Sequence, residues 1–329
     1  MKRILPPVLR AGARIAVTCP ASPPDPDKLS RGAARLRDLG FDVVLGATCA
    51  APRAALHAGA DATRAAELLA FLRDPKIDAV FAGRGGVGCM RLLPYLADLL
   101  DPPVPAGARA IQPKWIVGRS DLTALHLSLY KSLGWIGLSG PMVATDLGAD
   151  APPPFVVERT IRLLTDAMPI GRVETGEPLE TWVPGPVSVE GPLFPVNLSL
   201  LASLVGTGHL PSFEGAILVL EEIEEPPHRI DRMLTQLRLS GILEGLAGLV
   251  FGQFTGCRSR DESMPEDLLV HLLQDHAGAI GVPAIGGFPY GHERDFHPLP
   301  VGSWARIQSD PGRQPEVFLD AGGSKGASE

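Results

Sequence analysis

The first 133 residues alternate between short apolar runs and longer amphipathic stretches, and this alternation constrains the fold more than any other property of the chain. Apolar runs at Arg14–Thr18, Phe41–Leu45, Ile77–Ala82 and Trp115–Val117 read as strands. Between and after them, Leu29–Leu39, Ala60–Leu72, Met90–Leu100 and Asp121–Leu133 read as helices. Gly40 closes the first helix, and Asp61 or Thr63 is the expected cap of the second. Strands separated by helices imply a parallel sheet covered on both faces. Ligands of such sheets bind beyond the carboxyl ends of the strands.

The stretch Trp115-Ile116-Val117-Gly118-Arg119-Ser120-Asp121-Leu122-Thr123 is the most informative of these joints. A short buried strand stops at a glycine, turns sharply and enters a helix. Ser120 is thereby lifted to the end of the sheet, where a helix amino terminus presents free N–H groups. A serine so placed is either a helix N-cap or a nucleophile whose developing oxyanion is met by backbone donors.

Gly83-Arg84-Gly85-Gly86-Val87-Gly88 also follows a strand and precedes a helix, the setting of a dinucleotide-binding turn. The acidic residue expected about 20 positions on should end a new strand. Here that region is Leu100-Asp101-Pro102-Pro103-Val104-Pro105, which cannot be a central strand. Two other uses remain: half of an oxyanion hole beside the serine turn, or a tight turn that needs φ > 0.

Beyond Ala151 prolines accumulate, with one more helix expected at Phe155–Thr165 and a domain crossing after it. The second half offers strands at Ala216–Leu220 and Gly248–Phe251 and helices at Arg229–Leu239 and Glu266–His276, then a Gly/Pro-rich loop at Gly281–Gly291. A serine nucleophile needs a base and a carboxylate to orient it. The first of these strands runs into Glu221-Glu222-Ile223-Glu224-Glu225, either a carboxylate at a strand's end or a solvated acidic loop. His292 follows the glycine-rich loop, with His297 as a competitor. The zinc pattern H-E-x-x-H needs two histidines one helical turn apart; His292 and His297 are five apart and flanked by proline, so no metal is expected.

Composition excludes other classes. A net charge of −7 with no Lys/Arg cluster argues against nucleic acid. The four cysteines, Cys19, Cys49, Cys89 and Cys257, form no C-x-x-C pair, so neither a zinc ribbon nor a disulfide framework is expected. The basic start Met1-Lys2-Arg3 leads into an apolar run broken by Pro6 and Pro7, a poor signal peptide. No window approaches the roughly 18 apolar residues of a membrane span, and a cytoplasmic location is expected.

Taken in order, these pieces resemble the LD-carboxypeptidase family of serine peptidases, which includes the microcin C self-immunity peptidases. The resemblance rests on Leu9–Ser22, on Arg84-Gly85-Gly86-Val87-Gly88 with Arg91–Leu96, and on Gly118-Arg119-Ser120-Asp121 through His126. It continues through Ser139-Gly140-Pro141-Met142, Glu190–Leu193 with Asn197-Leu198-Ser199, Leu218–Glu222, Arg232–Leu237 and Phe288–His292. It implies a triad of Ser120 as nucleophile, His292 as base and Glu221 as its orienter, with the N–H groups of Gly86 and Asp121 as the oxyanion hole. It implies an α/β fold: a flavodoxin-like parallel sheet domain over 1–166 carrying the serine, a linker over 167–188, a smaller α/β domain over 189–320 carrying Glu221 and His292, and a frayed tail over 321–329. The site would lie between the domains, in a homodimer without a cofactor.

The implied reaction is cleavage of an L,D-peptide bond, releasing terminal D-alanine from murein tetrapeptide. Arg119, Val87 and Pro195-Val196 depart from the family pattern. Arg84 or Arg119 is a candidate cation for the substrate carboxylate, which a guanidinium suits. Three alternatives stand beside this reading: a same-family peptidase that opens acyl-sulfamoyl or aminoacyl-nucleotide conjugates, a non-catalytic two-domain binding protein, and a nicotinamide-dependent oxidoreductase.

Overall fold

Arg14–Thr18 forms the opening strand, β1, in a computed structural model that describes all residues except 1–2, 52–55, 101–110, 167–170, 260, 262, 311 and 321–329. The described residues divide into two compact units, drawn from Met1–Asp166 with Pro298–Val301 and from Ala167–His297 with Gly302–Glu329. The tail expected over 321–329 lies outside the described residues.

In the first unit, helix α1 (Pro26–Asp38) follows β1, and β2 (Asp42–Leu45), α2 (Asp61–Arg73) and β3 (Ala79–Ala82) come next. A 3-10 turn at Met90–Leu96 then leads into the short helix α3 (Ala97–Leu100). After β4 (Trp115–Val117) come a 3-10 turn at Ser120–Leu122, α4 (Thr123–Leu133), β5 (Gly137–Ser139) and α5 (Pro154–Thr165). Strands β2, β1, β3, β4 and β5 lie side by side in that order, all parallel, which is the flavodoxin-like arrangement. Leu299–Val301 adds an antiparallel edge strand beside β5. Ile15, Val17, Val80, Phe81, Trp115 and Val117 are buried, as expected of parallel strands covered on both faces.

Helix α1 turns Leu29, Ala33 and Leu36 inward, a spacing that keeps them on one face. It begins earlier than the apolar pattern suggests because Asp25 caps it, accepting from Lys28 N–H, and Pro26 fits the first helical turn. In α2 the capping position is Ala60, with no side-chain cap; Asp61 instead pairs with Arg64 and Arg91. The expected helix at Met90–Leu100 is mostly 3-10, with Pro94 inside it removing an N–H from any α-helical ladder.

The second unit is built on an eight-stranded sheet. Its elements are β6 (Gly171–Arg172), β7 (Glu180–Val183), β8 (Ser188–Asn197), α6 (Leu198–Leu204), β9 (Ile217–Ile223) and α7 (Pro227–Leu239). They continue as β10 (Gly248–Thr255), α8 (Leu268–Ile280), β11 (Ala284–Gly286), β13 (Trp304–Gln308) and β14 (Glu316–Asp320), the strand at Leu299–Val301 being β12. The order is β6-β14-β13-β8-β9-β10-β11-β7, with β8 to β11 parallel. Two short strands, β6 and β7, thus occur within the stretch read as a linker, and the expected Gly/Pro-rich loop at Gly281–Gly291 contains β11.

Strand β8 escapes a pattern reading because it holds Pro192 and Pro195. It accommodates them by changing partner, running antiparallel to β13 through Pro192 and parallel to β9 from Leu193 to Asn197. Among the described residues no helix is long and apolar enough to cross a membrane.

Candidate active site

Ser120 sits at the carboxyl end of β4, and its backbone explains why a cap reading fails. Arg119 is the extended residue that precedes the 3-10 turn, whereas Ser120 itself has φ +64°. A non-glycine residue in the left-handed region is strained by about 1–3 kcal/mol. Gly118 before it has φ +151°. The strand-to-helix turn is therefore bent twice within three residues at the end of the sheet.

The glycine turn lies against this serine. A Cβ on Gly85 would stand 3.4 Å from Ser120 Cβ and 3.2 Å from Met142 Sδ. Gly86 has φ +104°, and a Cβ there would run into Ser22 Oγ and stand 2.7 Å from Ser22 Cβ. Ser22 holds the turn from the β1 side: its N–H donates to Gly85 O at 3.2 Å and its Oγ accepts from Val87 N–H at 3.2 Å. The Asp121 carboxylate holds the other end by accepting Cys89 N–H at 2.7 Å. Burial raises the Asp121 pKa, and burial with Asp121 alongside pushes the Cys89 thiol well above its usual value.

Arg64 is a member of this assembly that motif reading missed. Its fully buried guanidinium donates to Pro20 O, to Gly88 O at 3.2 Å and to Asp61. The signal was an arginine among the apolar positions of α2, which an amphipathic reading assigns to the solvent face.

The two arginines expected to bind a substrate carboxylate sit differently. Arg119 is buried and its Nη2 meets Asp146 Oδ1 at 2.8 Å, while Asp146 also accepts Met142 N–H at 2.7 Å. Asp146 belongs to a single π-helical turn, Val143–Leu147. Arg84 is half-buried, with Nη1 donating to Pro23 O at 3.1 Å. Val87 is exposed, and Pro195-Val196 lie buried in the second sheet beside Val219 and Leu220.

In the second unit the strand expected to stop at Leu220 continues through Ile223, so Glu221 and Glu222 are strand residues rather than a solvated loop. Both are buried, at 1% and 2% exposure. They point to opposite faces. Glu222 accepts from Asn197 Nδ2 at 2.9 Å, Ser199 N–H at 2.8 Å and Ile223 N–H at 2.9 Å. Burial raises its pKa against the pull of those donors. Glu221 meets His292, its Oε2 lying 2.6 Å from Nδ1.

The sheet delivers that pair through a β-bulge. Phe251 pairs with Leu220 and Phe254 with Glu222, so β10 advances by three residues where β9 advances by two. The loop bearing His292 is stitched over the bulge: Phe288 N–H donates to Phe251 O at 3.2 Å, Gln253 N–H to Tyr290 O at 2.8 Å, and Glu293 N–H to Gln253 Oε1 at 3.2 Å. Gly252 permits this approach, since any Cβ there would collide with the Tyr290 carbonyl.

His297 goes elsewhere, its Nε2 lying 2.6 Å from Glu174 O. The carbonyl can only accept, so that ring is held by a backbone group, whereas His292 is held by a carboxylate. A carboxylate on Nδ1 of His292 is the arrangement that a general-base histidine acting through Nε2 would require. Among the described residues no three His, Cys, Asp or Glu side chains converge as a metal site.

Comparison with known proteins places the chain in a family. The LD-carboxypeptidase N-terminal domain matches residues 15–140 and the LD-carboxypeptidase C-terminal domain residues 190–307. The chain is 34% identical to a Bacillus subtilis protein named "probable murein peptide carboxypeptidase", over 98% of this chain and 96% of that one. It is 32% identical to the murein tetrapeptide carboxypeptidase of Pseudomonas aeruginosa, over 90% and 94%. The crystal structure of muramoyltetrapeptide carboxypeptidase from Oxalobacter formigenes superposes with a TM-score of 0.75 at 28% identity, over 94% and 99% of the two chains. The protein is a hydrolase of the carboxypeptidase class. It belongs to the LD-carboxypeptidase family of serine peptidases.

Proposed function

We propose that this protein releases the terminal D-alanine of murein tetrapeptide, using Ser120 as nucleophile, His292 as general base and Glu221 as the group that orients it. The observation that carries the reading is the buried Glu221–His292 contact at 2.6 Å. Buried carboxylates are seldom left beside a histidine without a task, because removing the charge from water costs several kcal/mol unless it is paired.

In the reaction, Ser120 Oγ attacks the carbonyl of the scissile L,D-bond as His292 Nε2 takes its proton. The carbonyl electrons move onto oxygen, where the N–H groups of Gly86 and Asp121 receive them. Collapse expels the D-alanine amine, which takes the proton from His292, and leaves an acyl-enzyme that water hydrolyses by the same route reversed. Arg84 is the preferred cation for the substrate's terminal carboxylate, because the Arg119 guanidinium already serves Asp146. The same reading carries the cytoplasm as compartment and a homodimer as assembly, which fractionation and sedimentation test.

The deciding experiment incubates the protein with tetrapeptide ending in D-alanine and follows D-alanine release. Release by wild type and its loss in Ser120→Ala are expected. Full activity in Ser120→Ala rejects the mechanism. Turnover of an acyl-sulfamoyl nucleotide in preference to the tetrapeptide moves the assignment to the detoxifying branch.

A further inference from the structure

The turn at Ser120 needs a restraint, because a left-handed serine left to itself relaxes toward an unstrained backbone. The structure supplies one from α4. His126 is buried, and its Nε2 lies 2.9 Å from the carbonyl oxygen of Gly118. A carbonyl only accepts, so Nε2 carries the proton and donates. The N–H of the same Gly118 donates to Leu138 O in β5 at 3.1 Å. Both backbone groups of the residue that starts the bend are therefore tied, one to the neighbouring strand and one to the helix that follows.

The ring is also wedged. A Cβ on Gly137 of β5 would collide with His126 Nδ1 and stand 2.7 Å from Cε1. Only a glycine at 137 lets β5 pass this close. The unprotonated Nδ1 is buried without a hydrogen-bond partner among the described residues. Such an atom costs about 1–3 kcal/mol relative to one that is paired. An apolar side chain in the same space would avoid that cost, so a histidine here is expensive unless its donor nitrogen is needed.

We infer that His126 is a positioning residue for the nucleophile: its Nε2–H bond to Gly118 O holds the turn in the geometry that presents Ser120. The inference rests on the reading of Ser120 as nucleophile for its kinetic consequence, but not for its structural one. Burial lowers the pKa of His126 to about 4, so the ring remains a single-proton donor across the neutral range. A second proton would go onto Nδ1, which faces β5 and lacks an acceptor among the described residues.

Three variants test it. His126→Leu removes the donor, His126→Gln places an amide nitrogen near the Nε2 position, and His126→Asn holds its amide one bond too short. The expected result for His126→Leu is a kcat at least about 10-fold lower with KM within about 2-fold, and a crystal structure in which Ser120 has left φ near +64°. His126→Gln should recover most of kcat.

Unchanged kcat in His126→Leu, or an unchanged Ser120 backbone, overturns the inference. So does a folded His126→Gln that is as slow as His126→Leu, which would make the role one of packing. Should His126→Leu fail to fold, Gln and Asn variants of equal Tm decide the matter: Gln active and Asn impaired supports the donor role, and equal kcat rejects it. If wild type releases no D-alanine, the proposed function fails while the Ser120 backbone in these structures still tests the inference.

Discussion

The serine turn and the Glu221–His292 pair are assembled by opposite means. The turn is local: Gly118, Ser120 and His126 are close in the chain, and its character comes from backbone strain on a rigid strand-to-helix joint. The pair joins residues 71 apart in the chain, and it exists because a bulge in β10 and the loop stitched over it bring a histidine to the end of β9. Local strain is sensitive to single backbone changes but leaves the rest of the fold indifferent. A pair made by sheet register is insensitive to its immediate neighbours in sequence and depends on every strand that sets the register.

The sharpest way to separate the two is to change one proposed site residue in each, the nucleophile Ser120 and the orienting Glu221. Ser120→Ala should lower kcat by about 10⁴-fold or more while leaving Tm near wild type, because strain is relieved or unchanged and no buried group loses a partner. Glu221→Gln should cost about 10³-fold or more in kcat, because an amide can present a donor where the histidine needs an acceptor. If Glu221→Gln keeps wild-type activity, the pair is structural and the comparison collapses.

Next in size is Gly86→Ala. A side chain at φ +104° that also meets Ser22 should lower kcat by about 10²-fold and stability by about 1–3 kcal/mol. Equal activity would count against the glycine turn as part of the proposed oxyanion hole. Arg119→Ala should destabilise by about 3 kcal/mol in urea titration, since the largely covered Asp146 carboxylate would be left without its cation. Arg84→Ala should raise KM with little change in Tm. A reversal between these two arginines would restore Arg119 as the substrate cation.

A further effect is a pH dependence of stability that belongs to the serine turn. Between the ordinary histidine value of 6.5 and about 4, the unfolded chain binds a proton at His126 that the folded protein does not. Stability therefore falls with pH across that window, by up to about 1.4 kcal/mol per unit, and the contribution is flat below it. Asp121 and Glu222 work against this. Their folded pKa values are raised, so just above the ordinary carboxylate range the folded protein keeps protons that the unfolded chain has lost, and stability rises as pH falls. The difference in unfolding free energy between wild type and His126→Gln isolates the histidine. It should shift in the variant's favour from about pH 6.5 to about 4.5, and a constant difference refutes the assignment.

Much of the serine half was legible from residues alone. The apolar run ending at Gly118 and the helix after Ser120 marked the joint, because strand and helix periods differ and the glycine punctuates the change. What the pattern misjudged was the joint's interior, where Ser120 is a strained residue rather than a cap and Arg119 turns inward to Asp146. The Glu–His half was less legible. Glu221-Glu222 looks like the start of a solvated loop because two adjacent carboxylates are a poor strand signal. Only neighbours on both faces, His292 on one and Asn197 with Ser199 on the other, make them tolerable in a sheet core.

Strand β8 was hidden for a related reason: its prolines are incompatible with one continuous ladder but compatible with a strand that changes partner midway. Resemblance to a family named Glu221 and His292 together, but no spacing in the chain could show that they touch. The order of residues was enough for the alternation of strand and helix, the place where a serine would be exposed, and the glycines that allow tight turns, because these depend on local backbone freedom and hydrophobic period. Which carboxylate meets which histidine, which arginine is committed to an internal partner, and which buried histidine contacts the serine turn were settled only in three dimensions, because those pairings arise from register and from packing between separate elements.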